Sequence, residues 1–194
     1  QFEGGNKDLA DYEQATGERA GWTDGMFSGM PAYQLTMPEH YNIFKSLSPI
    51  VTLGEHSFSV GILFLMMLGF YVFMVSMGAK PLLSMIAALA YALGSYNIII
   101  IAVGHITKAW AMAMIAPILG GMILVFRKKW LAGAVMFTLS LGLQIGFNHI
   151  QITYYTMLAA FILGLCYLIY AIKEKTIKDF SVGGVLLVLC AAIA

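Results

Sequence analysis

The sequence predicts an all-α, polytopic transmembrane protein, and three observations carry that prediction. Charged residues make up only 11% of the 194 residues and hydrophobic ones 60%, with a mean hydropathy of +0.81. A soluble domain carries about 25% charged residues, and a surface with so few would leave apolar patches that only lipid tolerates. Uncharged runs of spanning length recur from Ser57 onward. Lys and Arg crowd into alternate connections between those runs, as expected of a multi-pass protein with one basic side.

Each run can be taken in order. Ser57–Gly78 is uncharged and 22 residues long. Pro81–Val103 follows after Lys80, and Ala109–Phe126 is bounded by Lys108 and by Arg127-Lys128-Lys129. From Trp130 to Ile172 there are 43 residues without Asp, Glu, Lys or Arg. A single helix of that length would be ~65 Å long, about twice the hydrocarbon thickness. It must turn back, and Asn148-His149 is the polar point near its middle, giving spans Trp130–Phe147 and Ile150–Ile172. A further uncharged run of 15 residues starts at Phe180, shorter than the roughly 20 that a span needs. Counting it, six spans are expected. Because the chain also opens on Gln1 rather than Met, it reads as part of a longer protein, with a loop region over 1–56 and a helical region over 57–194.

Residues 1–56 hold eight of the ten acidic residues, Glu3, Asp8, Asp11, Glu13, Glu18, Asp24, Glu39 and Glu55. Asn6 can cap a short helix ended by Gly17, with Leu9, Tyr12 and Ala15 as a weak apolar stripe. From Gly21 to Pro38, glycine, proline and methionine indicate a loop.

Orientation follows from the cations. Lys80, then Arg127, Lys128 and Lys129, then Lys173, Lys175 and Lys178 fall on one side, against Lys108 on the other. The basic side is expected in the cytoplasm. Residues 1–56, Gly104–Lys108 and Asn148–Gln151 then face the opposite side. Helices starting near Ala109 and Ile150 would both point their N-termini there, and helix N-termini attract phosphate.

Three polar stretches fall on that side. In Gly104-His105-Ile106-Thr107-Lys108, His105 and Lys108 can share a helix face and hold a lipid phosphate; the plain alternative is a lysine snorkelling to the headgroups. In Asn148-His149-Ile150-Gln151, three side chains can hydrogen-bond a sugar or phosphate, and Asn148 and Gln151 have capping-box spacing; the alternative is a polar turn beside an aromatic belt of Tyr154 and Tyr155. The third stretch, Trp22 to Gln34, offers Trp22 and Tyr33 to stack on a sugar, Gln34 to bond it, and Asp24 to accept a proton; the alternative is an amphipathic loop on the membrane.

Other classes find little support. His40, His56, His105 and His149 lack the close spacing of a metal site, so no metal is assigned and no cofactor is called for. Cys166 and Cys190 sit in apolar runs as small hydrophobes. Gly120, Gly121 and Gly142 suit helix packing better than a cofactor loop. There is no P-loop, no G-x-S-x-G and no basic tract for nucleic acid.

The order Trp22-Thr-Asp-Gly-Met-Phe-Ser-Gly-Met-Pro-Ala-Tyr-Gln34, then Gly104-His-Ile-Thr-Lys108, then Asn148-His-Ile-Gln-Ile-Thr-Tyr-Tyr155 resembles the YfhO-like bacterial membrane protein family, particularly its Bacteroidota members. The resemblance runs from about Asp11 to Lys175. It implies a GT-C-type fold and a glycosyltransferase that takes sugar from a polyprenyl-phosphate carrier in the bacterial inner membrane, acting on a cell-envelope acceptor. Under it, His105 and Lys108 would meet the carrier phosphate, and Asn148, His149 and Gln151 would line the same pocket. GT-C enzymes usually carry an acid early in the first external loop. Here that loop is entered part-way, so the base is either Asp24 or an acid upstream of Gln1. Two rivals stand beside this reading. A transporter or flippase of lipid-linked sugars would need polar residues along the spans, where Asn97 and Gln144 are the main ones. A non-catalytic envelope subunit would need no pocket.

Overall fold

The computed structural model describes residues 7–24, 28–32, 43–51 and 58–194. It forms two compact units, Gln1–Tyr41 and Asn42–Ala194, each described by itself.

The first unit contains helix α1, Lys7–Thr16. Gly17 ends it with φ +71 and donates its N–H to the Glu13 carbonyl. Of the expected apolar stripe only Leu9 is buried; Tyr12 and Ala15 are exposed. After Gly21 the described residues include two short strands where a loop was expected. Strand β1, Trp22–Thr23, pairs antiparallel with β2, Met30–Pro31, and the Ala32 N–H closes onto the Gly21 carbonyl at 3.0 Å.

The second unit is all α-helical among the described residues. A 3-10 turn, Ile43–Leu47, leads into α2, Ser48–Val51. There follow α3 (Phe58–Ser76), α4 (Pro81–Ala92), α5 (Ser95–Ala102), α6 (Ile106–Ala113), α7 (Ile115–Phe126), α8 (Trp130–Gly146), α9 (Ile150–Lys173) and α10 (Ile177–Ile193). Three stretches are long and apolar enough to cross a membrane: Ser59–Ser76, Ile106–Phe126 and Ile150–Lys173. The bent pair α4–α5 makes a fourth if it acts as one span. Helix α8 is apolar but has 17 residues, and α10, also 17, begins with Lys178 and Asp179. The protein is therefore an all-α membrane protein.

Two of these stretches are interrupted, each for a local reason. Pro81–Val103 is not one straight helix: it bends by 44° between α4 and α5. Gly94 leaves the helical region, and the buried Asn97 side chain donates Nδ2–H to the Tyr91 carbonyl at 2.7 Å. That bond caps a carbonyl which the break strips of its helical partner. The stretch Ile106–Phe126 breaks at Met114, three residues before Pro117. Proline has no N–H for the Ala113 carbonyl, four residues back, and that carbonyl lies against Gly69 of α3.

The stretch formed by α6 and α7 is the centre of the bundle: 67% of its most apolar window is buried, against 11% for α9. It packs on α3, α8, α9 and α10. Glycine allows the closest approach. A Cβ at Gly121 would lie 2.9 Å from the Gly133 carbonyl, and one at Gly133 would lie 2.7 Å from the Gly121 carbonyl. These backbones meet directly, as small residues permit in lipid.

The helices are pinned together at one end of the bundle. On the basic side, Arg127 donates to the Ser76 and Met77 carbonyls, both at 2.9 Å, and Lys128 pairs with Asp179 at 2.8 Å. The ends of α3 and α7 and the start of α10 therefore lie together. Several connections share one device: the last turn closes on a residue with positive φ, as at Gly104 (φ 80), Lys128 (φ 64) and Lys175 (φ 57). Around Gly104, the His105 N–H reaches the Ile100 carbonyl and the Gly104 N–H reaches Ile101, a Schellman closure. The following residue then begins the next helix.

Candidate functional site

At the end opposite the basic loops, α6 and α9 both begin. His105 is the N-cap residue of α6 and His149 that of α9. Lys108 lies in the first turn of α6, half-buried; His105 is exposed, and Asn148 and His149 are half-buried. Helices α6 and α9 are in contact. Trp110 of α6 stacks on Phe147 with centroids 5.4 Å apart, which holds the Phe147–His149 connection beside the first turns of α6.

The electrostatics of His149 register this convergence. Its pKa lies below the ordinary histidine value, chiefly because burial penalises the cation. The charges of Lys108 and His105 push it further down, against a hydrogen bond to its own backbone. Its Nδ1 is buried and meets no polar group of another described residue. His105, Lys108 and His149 therefore border one mouth, with the Lys108 ammonium as its cation. The stretches 94–113 and 145–160 contain no Asp or Glu to neutralise it.

Lys108 also has an aromatic neighbour, its Nζ lying 5.5 Å from the centroid of the Tyr96 ring on α5. Tyr96 was not foreseen as part of the site; its sequence signal is only an aromatic residue just beyond the break at Gly94.

The other expected residues are placed differently. Asn148 and Gln151 do not form a capping box. Asn148 takes φ 53 at the end of α8, the N-cap is His149, and no side chain caps α9. Gln151 is exposed and donates instead to the Tyr155 hydroxyl at 3.3 Å. In the first unit, the Trp22 indole N–H donates to the Asp24 carboxylate at 3.0 Å. Gly29, at φ +113, packs under Trp22 so closely that a Cβ would lie 2.7 Å from the indole nitrogen. Trp22 and Asp24 are thus a joined pair on the surface of that unit. Tyr33, Gln34, His40 and His56 lie outside the described residues. Among the described residues, no group of three or more His, Cys, Asp or Glu side chains is placed to hold a metal ion.

Deeper in the bundle sits a polar node. Gln144 is fully buried and donates Nε2–H to the Ala111 carbonyl at 2.9 Å and to the Thr156 hydroxyl at 3.0 Å. Thr156 gives its own proton to the Ile152 carbonyl, so both partners of Gln144 are acceptors and the amide orientation is fixed. Gln144 Oε1 meets no donor among the described residues. The node ties α6, α8 and α9 together just below the mouth.

Cavities among the described residues also lie away from the mouth. One of about 460 Å³ is an apolar groove between α9 and α10, with Met122 and Phe137 at its base. A second, about 650 Å³, lies between α3 and α4. A third, about 520 Å³, adjoins Arg127. Comparison with known proteins gives no match to a family model, a curated protein or a solved structure.

Proposed function

We propose that this chain acts in a glycosyltransferase of the bacterial inner membrane, using a polyprenyl-phosphate-linked sugar at its non-cytoplasmic face. The observation that carries this reading is the gathering of His105, Lys108 and His149 around two helix starts, with no acid in the flanking stretches. Cations and free helix N–H groups together suit a phosphate. The motif resemblance to YfhO-like proteins supplies the sugar and the carrier. Residues 1–56 then face the periplasm, by the distribution of Lys and Arg.

In the proposed reaction an acceptor hydroxyl attacks the anomeric carbon. The bond from that carbon to the phosphate oxygen breaks, and the phosphate leaves with the electron pair. Lys108 and the starts of α6 and α9 stabilise the departing charge. His149, held neutral by its surroundings, gains a proton readily once phosphate is beside it. A carboxylate takes the hydroxyl proton. Asn148 and Gln151 remain candidates to hold the sugar. Against the transport reading, Asn97 and Gln144, the main polar residues of the spans, direct their amide N–H groups to backbone carbonyls of the bundle.

The test is sugar transfer from a polyprenyl-phosphate donor by the intact protein in membranes. A charge-assisted bond of about 1.5–3 kcal/mol makes Lys108→Gln about 10- to 150-fold slower at low donor concentration. Tyr96→Phe keeps the ring under Lys108 and should retain full activity. Full activity of Lys108→Gln at normal expression would overturn the assignment. Movement of intact lipid-linked sugar without release of polyprenyl phosphate would favour the transporter.

A further inference from the structure

The end of the bundle that carries the basic loops has a cavity which the proposed sugar chemistry does not use. It measures about 520 Å³ and is lined by Phe126 and Arg127 at the end of α7 and by Cys166, Tyr167 and Tyr170 on α9. Its apolar wall is braced. Tyr167 stacks on Phe126 at 4.7 Å, and Phe126 stacks on Phe180 of α10 at 5.2 Å.

Its polar side is oriented as well. Arg127 spends one Nη1–H on the Ser76 carbonyl and one Nη2–H on the Met77 carbonyl. A guanidinium has five N–H donors, so three remain. No carboxylate pairs with Arg127 among the described residues, and Asp179 is engaged by Lys128. Lys173 follows Tyr170 by three residues on α9, which puts it on the same face, about one turn nearer the helix end.

We propose that this cavity binds the headgroup of an anionic phospholipid, its phosphate on the free N–H groups of Arg127 and beside Lys173. The surroundings favour a lipid over a soluble anion. Cys166 and Tyr170 are exposed on the helix whose apolar window is only 11% buried, so the cavity opens along the lipid-facing flank of α9. Acyl chains can follow Phe126 and Cys166 while tyrosines stand at headgroup level. The basic loops on this side would face the leaflet that holds anionic lipid.

The experiment titrates the purified intact protein in mild detergent with phosphatidylglycerol or phosphatidylcholine, reading bound lipid by native mass spectrometry. The first phosphatidylglycerol should bind at least about tenfold more tightly than phosphatidylcholine, the scale of one charge-assisted contact. Lys173→Gln and Arg127→Gln should each erode that preference. Cys166→Trp, which fills the cavity without touching a charge, should abolish the tight site. Lys173 is exposed, so Lys173→Gln can be read even if the other variants fold poorly. Equal affinity for the two lipids overturns the proposal, as does an undiminished preference in Lys173→Gln. Inorganic phosphate should not displace the bound lipid; full displacement would mark a site for a soluble anion and also overturn it.

Discussion

Replacing Gly121 by alanine tests the close packing of α7 on α8 at the centre of the bundle. An added Cβ would lie 2.7 Å from the Phe137 nitrogen and 2.9 Å from both the Phe137 Cα and the Gly133 carbonyl. All three are backbone atoms of α8, so no rotamer change relieves the clash and the helices must separate. Overpacking of this kind costs about 1–3 kcal/mol, and here the upper part of that range applies. Alanine gains about 1 kcal/mol over glycine in helix propensity, leaving a net loss of about 1–2 kcal/mol. Gly184→Ala is the control, because nothing lies within 4 Å of its added Cβ; it should be neutral or slightly stabilising. Gly133→Ala strikes the same contact from the other side, and the double variant should lose less than the sum, since one displacement accommodates both methyl groups. Thermal unfolding in detergent, followed by loss of monodisperse protein, measures all four. Equal stability of Gly121→Ala and Gly184→Ala would refute the direct approach of α7 and α8.

Two further predictions concern the buried node and the orientation. Gln144→Leu should change stability by less than about 1 kcal/mol, because it removes an unsatisfied oxygen while Ala111 keeps the Met114 N–H and Thr156 keeps Ile152. Gln144→Glu should cost at least about 2 kcal/mol, since it faces a carboxyl oxygen toward the Ala111 carbonyl and the Thr156 oxygen; equal thermal stability of the two variants would contradict the node. With Cys166 and Cys190 replaced, a cysteine at Gln151 should react with an impermeant thiol reagent from the periplasm and one at Lys128 should not; the reverse pattern inverts the membrane orientation.

The helical architecture was legible because it depends on uncharged length and charge placement, which survive averaging over many residues. The turn at Asn148 was legible for the same reason: a 43-residue apolar run cannot remain one helix. The bend at Gly94 escaped because its marks are two single residues, Gly94 leaving the helical region and Asn97 capping the Tyr91 carbonyl, and asparagine in an apolar run looks equally like a functional polar group. The break at Met114 was not expected within Ala109–Phe126; its cause is Pro117, whose effect falls up to four residues upstream. The spacing of His105 and Lys108 indicated a shared first turn, and the common direction of the helices starting there and at Ile150 indicated that His149 would lie near them, but not which packing contacts hold it there. That proximity depends on α6 packing against α9 and on Trp110 stacking with Phe147. The capping box failed because Asn148 is taken up by the end of α8, where an asparagine tolerates positive φ better than most residues.

The central claim is that the mouth formed by His105, Lys108 and His149 receives a phosphate, and the ionisation of His149 reports it most directly. The measurement is an NMR titration of isotope-labelled histidine in the intact protein, assigned with His149→Gln, with and without polyprenyl phosphate. Without ligand, His149 should titrate below the ordinary value of about 6.5. A folded-state pKa lowered in this way makes the protein lose stability as pH falls from the unfolded value through the folded one, because the unfolded chain then binds more protons. With polyprenyl phosphate bound, the adjacent anion should raise the His149 pKa, and Lys108→Gln should weaken that response. A His149 pKa that is the same with and without saturating polyprenyl phosphate would contradict the claim.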